Sequence, residues 1–140
     1  MGIEGFMKIG LAVKDVDETV KTLAGALGLS PEETVTYEPY GMKYCMIHVG
    51  EDSYIEVIQP TDSQGPIARF IKTHGEGLQH LSFRVTNLEK TMALLKEKGV
   101  RFLQETPLRE DTSIGIAKYV FLSPRQCHGV LVQLMEISET

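Results

Sequence analysis

Apolar and polar positions follow two different periods along this chain, and the change from one to the other happens twice. From Phe6 to Val13 the residues are mostly apolar and small, with Gly10 the one breaker, as in a strand. At Lys14-Asp15-Val16-Asp17-Glu18 the period becomes helical: Val16, Val20, Leu23 and Leu27 recur on one face until Gly28. Asp15 and Glu18 have the spacing of a capping box, with Asp in place of Ser or Thr. Seventy-two residues later the pattern returns. His80-Leu-Ser-Phe-Arg-Val85 alternates, Asn87 is placed to cap, and Leu88, Met92 and Leu95 mark a helix face that ends at Gly99. The shift pairs Ile9 with Leu81, Leu11 with Phe83, Val13 with Val85 and Val16 with Leu88.

Three strand-like runs follow each helix. In the first half these are Thr34 to Glu38, Lys43 to Val49 and Ser53 to Ile58; in the second they are Arg101 to Gln104, Ala117 to Leu122 and Val130 to Ile137. Between the halves, Pro60 to Pro66 is turn-rich, Ile67, Phe70 and Ile71 predict a short amphipathic helix over about 66–73, and Gly75-Glu76-Gly77 releases the chain. The reading is α+β: one domain over 1–140, made of two βαβββ modules in tandem at about 6–60 and 78–137. A curved sheet with one helix outside cannot cover its own concave face, so the expectation is a curved mixed sheet around a cleft.

Composition narrows the partners. With 140 residues and 42% hydrophobic content the chain can bury a core without disulfides or a structural metal. Cys45 and Cys127 lie in no C-x-x-C pair and read as small packed thiols. The formal charge of −5, with scattered lysines and arginines, argues against nucleic acid. The start Met-Gly-Ile-Glu-Gly-Phe lacks a signal-peptide pattern, and no apolar run approaches the roughly 20 residues of a membrane span, so the expected location is the cytoplasm.

Strand parity then locates candidate chemistry. Under the repeat, Lys8 matches His80, and Ile55-Glu56-Val57 matches Val132-Gln133-Leu134. Lys8, Glu56, His80 and Gln133 are thus expected to converge as ligand-binding residues, two per module. A carboxylate, an amide oxygen and an imidazole can bind a divalent ion, so Glu56, His80 and Gln133 would be the ligands of any retained metal. Protonated Lys8 has donors and no lone pair, which disfavours a metal; no cofactor follows from the residues. His48, His74 and His128 read as turn or surface residues. No phosphate-binding glycine loop and no nucleophile elbow are present.

The segments Lys8-Ile-Gly-Leu-Ala-Val-Lys-Asp, Ser53-Tyr-Ile-Glu-Val-Ile-Gln-Pro, Gly75-Glu-Gly-Leu-Gln-His-Leu-Ser-Phe and Gly129-Val-Leu-Val-Gln-Leu resemble the vicinal oxygen chelate superfamily (glyoxalase, bleomycin resistance and dioxygenase proteins). Within it the chain is most similar to methylmalonyl-CoA epimerases and their glyoxalase-related neighbours. The resemblance implies two βαβββ modules, a homodimer, and a divalent metal held by one ligand from each of four strands. Its two His ligands fall on Lys8 and His80, its Gln or Glu ligand on Glu56, and its terminal Glu ligand on Gln133. An acid/base glutamate of the epimerases falls on Tyr44. The implied activity is that of an isomerase, epimerase or lyase removing a proton next to a carbonyl in a small acyl compound, an acyl-CoA among them. Glu56 and Tyr44 are its candidate proton-transfer groups, and the Lys8 ammonium its candidate enolate-stabilising charge. The alternative is a non-catalytic protein that binds or sequesters a small molecule.

Overall fold

The computed structural model describes residues 2–112 and 114–138. Among them are nine strands and three α-helices, a mixed α+β arrangement. Lys8–Gln79 form one compact unit; the described residues before Lys8 and after Gln79 form the other.

In the first unit, β1 (Gly2–Ala12) supplies its second half and leads into α1 (Val16–Val20), which continues through wide π-helical turns over Lys21–Ala26. Then come β2 (Ser30–Pro31), β3 (Val35–Tyr37), β4 (Met42–Val49), β5 (Ser53–Pro60) and α2 (Pro66–His74). The strand order is β2-β4-β5-β1, with β3 also on β4. In the second unit, β6 (Gly77–Thr86), which opens at the boundary, is followed by α3 (Leu88–Glu97), β7 (Leu108–Thr112), β8 (Gly115–Phe121) and β9 (Leu131–Ser138), in the order β6-β9-β8-β7. Phe6, from the leading half of β1, packs edge-on against Phe83 with ring centroids 6.4 Å apart.

Each unit buries one sheet face under its first helix. Val16, Val20 and Leu23 cover Cys45, Ile47, Ile55 and Val57 in the first; Leu88, Met92 and Leu95 cover Phe83, Val85, Val120 and Leu134 in the second. The helix starts repeat as well. Asp15 accepts from the Glu18 amide and Asn87 from the Lys90 amide, each at 3.2 Å, satisfying helix donors that have no partner within the helix. A second cap comes from the last strand of each module: Gln59 Oε1 accepts from Val16 N at 2.9 Å, and Glu136 Oε1 from Leu88 N at 2.6 Å. The amide and carboxylate have exchanged places relative to Glu56 and Gln133, and the braces they form are equivalent.

One expected strand is displaced. Arg101 to Gln104 forms no strand; Phe102 makes only an isolated bridge to Leu122, and the edge strand is Leu108–Thr112. Pro107, which has no amide hydrogen, precedes that strand. Upstream, the Gln104 side chain accepts from Phe121 N at 2.8 Å and so takes the place of a backbone rung. No described helix is long and apolar enough to cross a membrane.

Candidate functional site

Register assigns the faces. In the first unit Lys8 lies opposite Tyr54, Gly10 opposite Glu56 and Ala12 opposite Ile58; across β5, Glu56 meets Met46, Ile58 meets Tyr44 and Tyr54 meets His48. Residues that pair across strands share a face. Lys8, Glu56, Tyr44, Met46, Tyr54 and His48 therefore stand together on the side turned away from α1. One end of that side is covered by α2, where Ile67, Phe70 and Ile71 pack on Ala12, Met42, Tyr44 and Ile58.

Lys8 Nζ donates to Glu56 Oε1 at 2.6 Å, and both residues are buried, at 4% and 5% exposure. Gly10 has no side chain to stand opposite Glu56, which leaves room for the lysine to fold onto the carboxylate. Such a pair is held at a considerable desolvation cost and is no gift to stability. It is a pairing of charges on a sheet face. Tyr44 is buried two rungs from the pair, so the structure brings three predicted residues onto one face.

The second unit repeats the register. His80 lies opposite Leu131 and Ser82 opposite Gln133, while Phe121 and Tyr119 meet Gln133 and Met135 across β8. His80, Ser82, Gln133, Tyr119 and Phe121 share the side away from α3. Gln133 Oε1 accepts from Ser82 Oγ at 2.8 Å, and both residues are buried. The buried His80 ring stands edge-on to Phe121, centroids 6.3 Å apart. Ser82 was not among the expected site residues; its counterpart in the first module is Gly10, so the repeat carries no polar signal there. Tyr119 is the counterpart of Tyr44, since Tyr44 meets Ile58 as Tyr119 meets Met135.

The donor set does not fit the divalent metal of the resemblance. An ammonium has no lone pair to offer. Lys8 engages Glu56 Oε1, and the amide oxygen of Gln133 accepts from the Ser82 hydroxyl. Among the described residues no three His, Cys, Asp or Glu side chains gather to hold an ion.

His48, expected in a turn, is instead a strand residue on the Lys8–Glu56 face. Its Nε2 lies 2.7 Å from Glu32 Oε2, and its ring packs on Tyr54 with centroids 4.9 Å apart. Cys45, on the α1 side, is held as a thiol: burial pushes it above its usual range, and Sγ donates to Glu32 O at 3.2 Å.

The mitochondrial methylmalonyl-CoA epimerase of Bos taurus is 30% identical over 129 residues, which are 90% of this chain and 70% of that protein. The methylmalonyl-CoA epimerase structure from Mycobacterium tuberculosis matches with a TM-score of 0.89 at 28% identity, covering 97% of this chain and 89% of that one. A variant of the Streptomyces coelicolor methylmalonyl-CoA epimerase in complex with 2-nitronate-propionyl-CoA matches at 0.88 and 29% identity, covering 98% and 99%. The family model of the Glyoxalase/Bleomycin resistance protein/Dioxygenase superfamily matches residues 7–117, and the chain belongs to that superfamily.

Proposed function

We propose that this protein removes the α-proton of a small acyl-CoA, or of a related carbonyl compound of similar acidity, as an isomerase of the epimerase type that works without a divalent metal at Lys8 and Glu56. The observation that carries this reading is the buried Lys8–Glu56 pair, which combines a proton acceptor with a fixed positive charge on one sheet face. Proton removal next to a thioester needs a base and a charge to meet the developing enolate oxygen. Glu56 supplies the first and Lys8 Nζ the second. Tyr44 is a hydroxyl on the same face. His80 and Gln133 are assigned ligand binding; the Gln133 amide is neither an acid nor a base in the neutral range.

Support for an acyl-CoA comes from the relatives: one solved epimerase holds 2-nitronate-propionyl-CoA and another holds methylmalonyl-CoA with NH4+. The second of these places an ammonium and the thioester in one crystal. We also propose a homodimer, on the family resemblance, and a cytoplasmic location, on the sequence; sedimentation velocity reads the first of these directly.

The test is proton exchange by NMR in deuterated water, with separate epimers of methylmalonyl-CoA as the first probe and a panel of acyl-CoA thioesters after it. Exchange is expected in the native protein, and in Glu56→Gln it is lost from the epimer whose α-proton faces Glu56. Absence of exchange across the panel overturns the catalytic reading. One observation favours the binding alternative: the 2.6 Å contact already occupies Glu56 Oε1. Thermal stabilisation by a thioester without any exchange would establish it.

A further inference from the structure

We infer that His48, oriented by Glu32, is a second proton-transfer residue, one that returns a proton to the substrate carbon on the side opposite Glu56. This rests on the proton-abstraction reading above, and nothing in the comparisons assigns a role to either residue.

The first observation is placement. His48 meets Tyr54 across β4 and β5, and Glu56 is two residues beyond Tyr54, so His48 and Glu56 are diagonal neighbours on one face. Diagonal neighbours in antiparallel strands stand about 7–8 Å apart, a span that holds one carbon between two side chains. The second observation is orientation. A carboxylate 2.7 Å from one ring nitrogen fixes the tautomer, so that Nε2 carries the hydrogen donated to Glu32 and Nδ1 is left to exchange a proton with a ligand. Tyr54 restrains the ring from the other side.

The third observation is that Glu32 is itself anchored rather than waving from a loop. Its amide donates to Met46 O at 2.8 Å and its carbonyl accepts from Cys45 Sγ, so two residues of β4 hold it from both sides of its own peptide. The groups that face His48 are Glu32 from the β2–β3 connection, Ser30 on β2 and Tyr54 on β5. The His48 side chain is 38% exposed, which lets it reload from water, whereas Glu56 is buried.

The proton balance closes. From one epimer, Glu56 carboxylate takes the α-proton and becomes the acid, and protonated His48 gives its Nδ1 proton to the opposite face of the enolate and becomes neutral imidazole. The thioester is inverted, and the protein has moved one proton from His48 to Glu56. Solvent returns it, and the reverse reaction starts with neutral His48 as the base.

The test compares the two separated epimers of the probe thioester in deuterated water, with the full chain. In His48→Gln, inversion falls about 10²–10⁴-fold, the range for loss of a proton-transfer group. The epimer whose proton faces Glu56 still exchanges, while the other does not. In Glu32→Gln, inversion falls with KM unchanged, and Glu32→Asp recovers part of it, which a merely structural role would not do. Inversion of both epimers at the native rate in His48→Gln or in Glu32→Gln overturns the inference. If His48→Gln does not fold, the Glu32 pair of variants decides. If the native protein exchanges neither epimer, the proton-abstraction reading has failed, and this inference falls with it.

Discussion

Removing the charge at Lys8 tests how much burial changes the worth of an ion pair, because the molecule contains its own control. Lys8–Glu56 and Lys118–Glu89 have the same separation, 2.6 Å, but side-chain exposures of 5% and 6% in the first and 28% and 55% in the second. In Lys8→Met a buried carboxylate loses its partner, which costs about 3–5 kcal/mol; Glu56→Leu strands the ammonium at a similar cost. The double variant Lys8→Met/Glu56→Leu leaves no buried charge, and such replacements range from neutral to about 1–4 kcal/mol stabilising. The coupling energy thus exceeds either single effect. Lys118→Met and Glu89→Leu, screened by water, should each change stability by about 0–1 kcal/mol. Urea unfolding measures all six proteins. With a slope of about 1–3 kcal/mol per molar, each buried single variant moves the midpoint by about 1 M or more, and the surface variants by a fraction of that. Equal losses at Lys8 and Lys118, or a buried double variant whose loss is the sum of its singles, would refute the assignment of a desolvated ion pair.

Four further outcomes follow from the structure. Protein dialysed against cobalt(II) and then against buffer should retain no stoichiometric metal by elemental analysis and show no cobalt absorption bands; one equivalent retained would defeat the donor-set argument. Cys45 should react more slowly than Cys127 with a thiol reagent near neutral pH, as peptide mapping would show, because Cys45 is buried and its thiol is held above the usual range. The same shift has a stability consequence. The unfolded state deprotonates Cys45 first, so stability declines as pH rises through the ordinary thiol range, and Cys45→Ala should flatten that decline in thermal melts. At Asn87, whose φ of 46° lies in the left-handed region, Asn87→Gly should be nearly neutral and Asn87→Ala should cost about 1–2 kcal/mol, from the lost cap and the strained backbone together; equal melting temperatures would contradict this.

What was legible in the sequence was whatever depends on periodicity. The helix faces of Val16 and Leu88, the caps at Asp15 and Asn87, and the common side of Lys8 and Glu56 follow from counting by two or by 3.6, and each recurs in the structure; Tyr44 is nominated by the family resemblance instead. Contacts that depend on which partner a side chain finds were hidden. Glu32 lies 16 residues before His48 in a polar Pro-Glu-Glu-Thr stretch, and only the pairing of Glu32 N with Met46 O brings them together. Near Gly50, His48 reads as a turn residue for good reason, since a strand end and a hairpin turn share the same local composition. The strand expected at Arg101 failed for a related cause: a short run of mixed residues has no period of its own, and Pro107 decided where pairing could begin.

The register also explains why Lys8 and Gly10 fit the same scaffold as His80 and Ser82. Lys8 and Gly10 hold the same positions against Tyr54 and Glu56 as His80 and Ser82 hold against Leu131 and Gln133. A lysine where the other module has a histidine therefore shifts no strand; it changes what fills the space beside Glu56. A lysine reaching Glu56 needs a clear path across the neighbouring rung, and glycine at position 10 provides it. In the second module a serine stands on that rung, and its hydroxyl is spent on Gln133. Glycine paired with lysine and serine paired with glutamine are two solutions to one steric and polar constraint. Each gives a carboxylate or amide oxygen a hydrogen-bond donor. Gly10→Ser is the substitution that sets these solutions against each other: a hydroxyl opposite Glu56 competes with Lys8 for the carboxylate, so loss of the ion-pair coupling in the urea cycle is expected in that background.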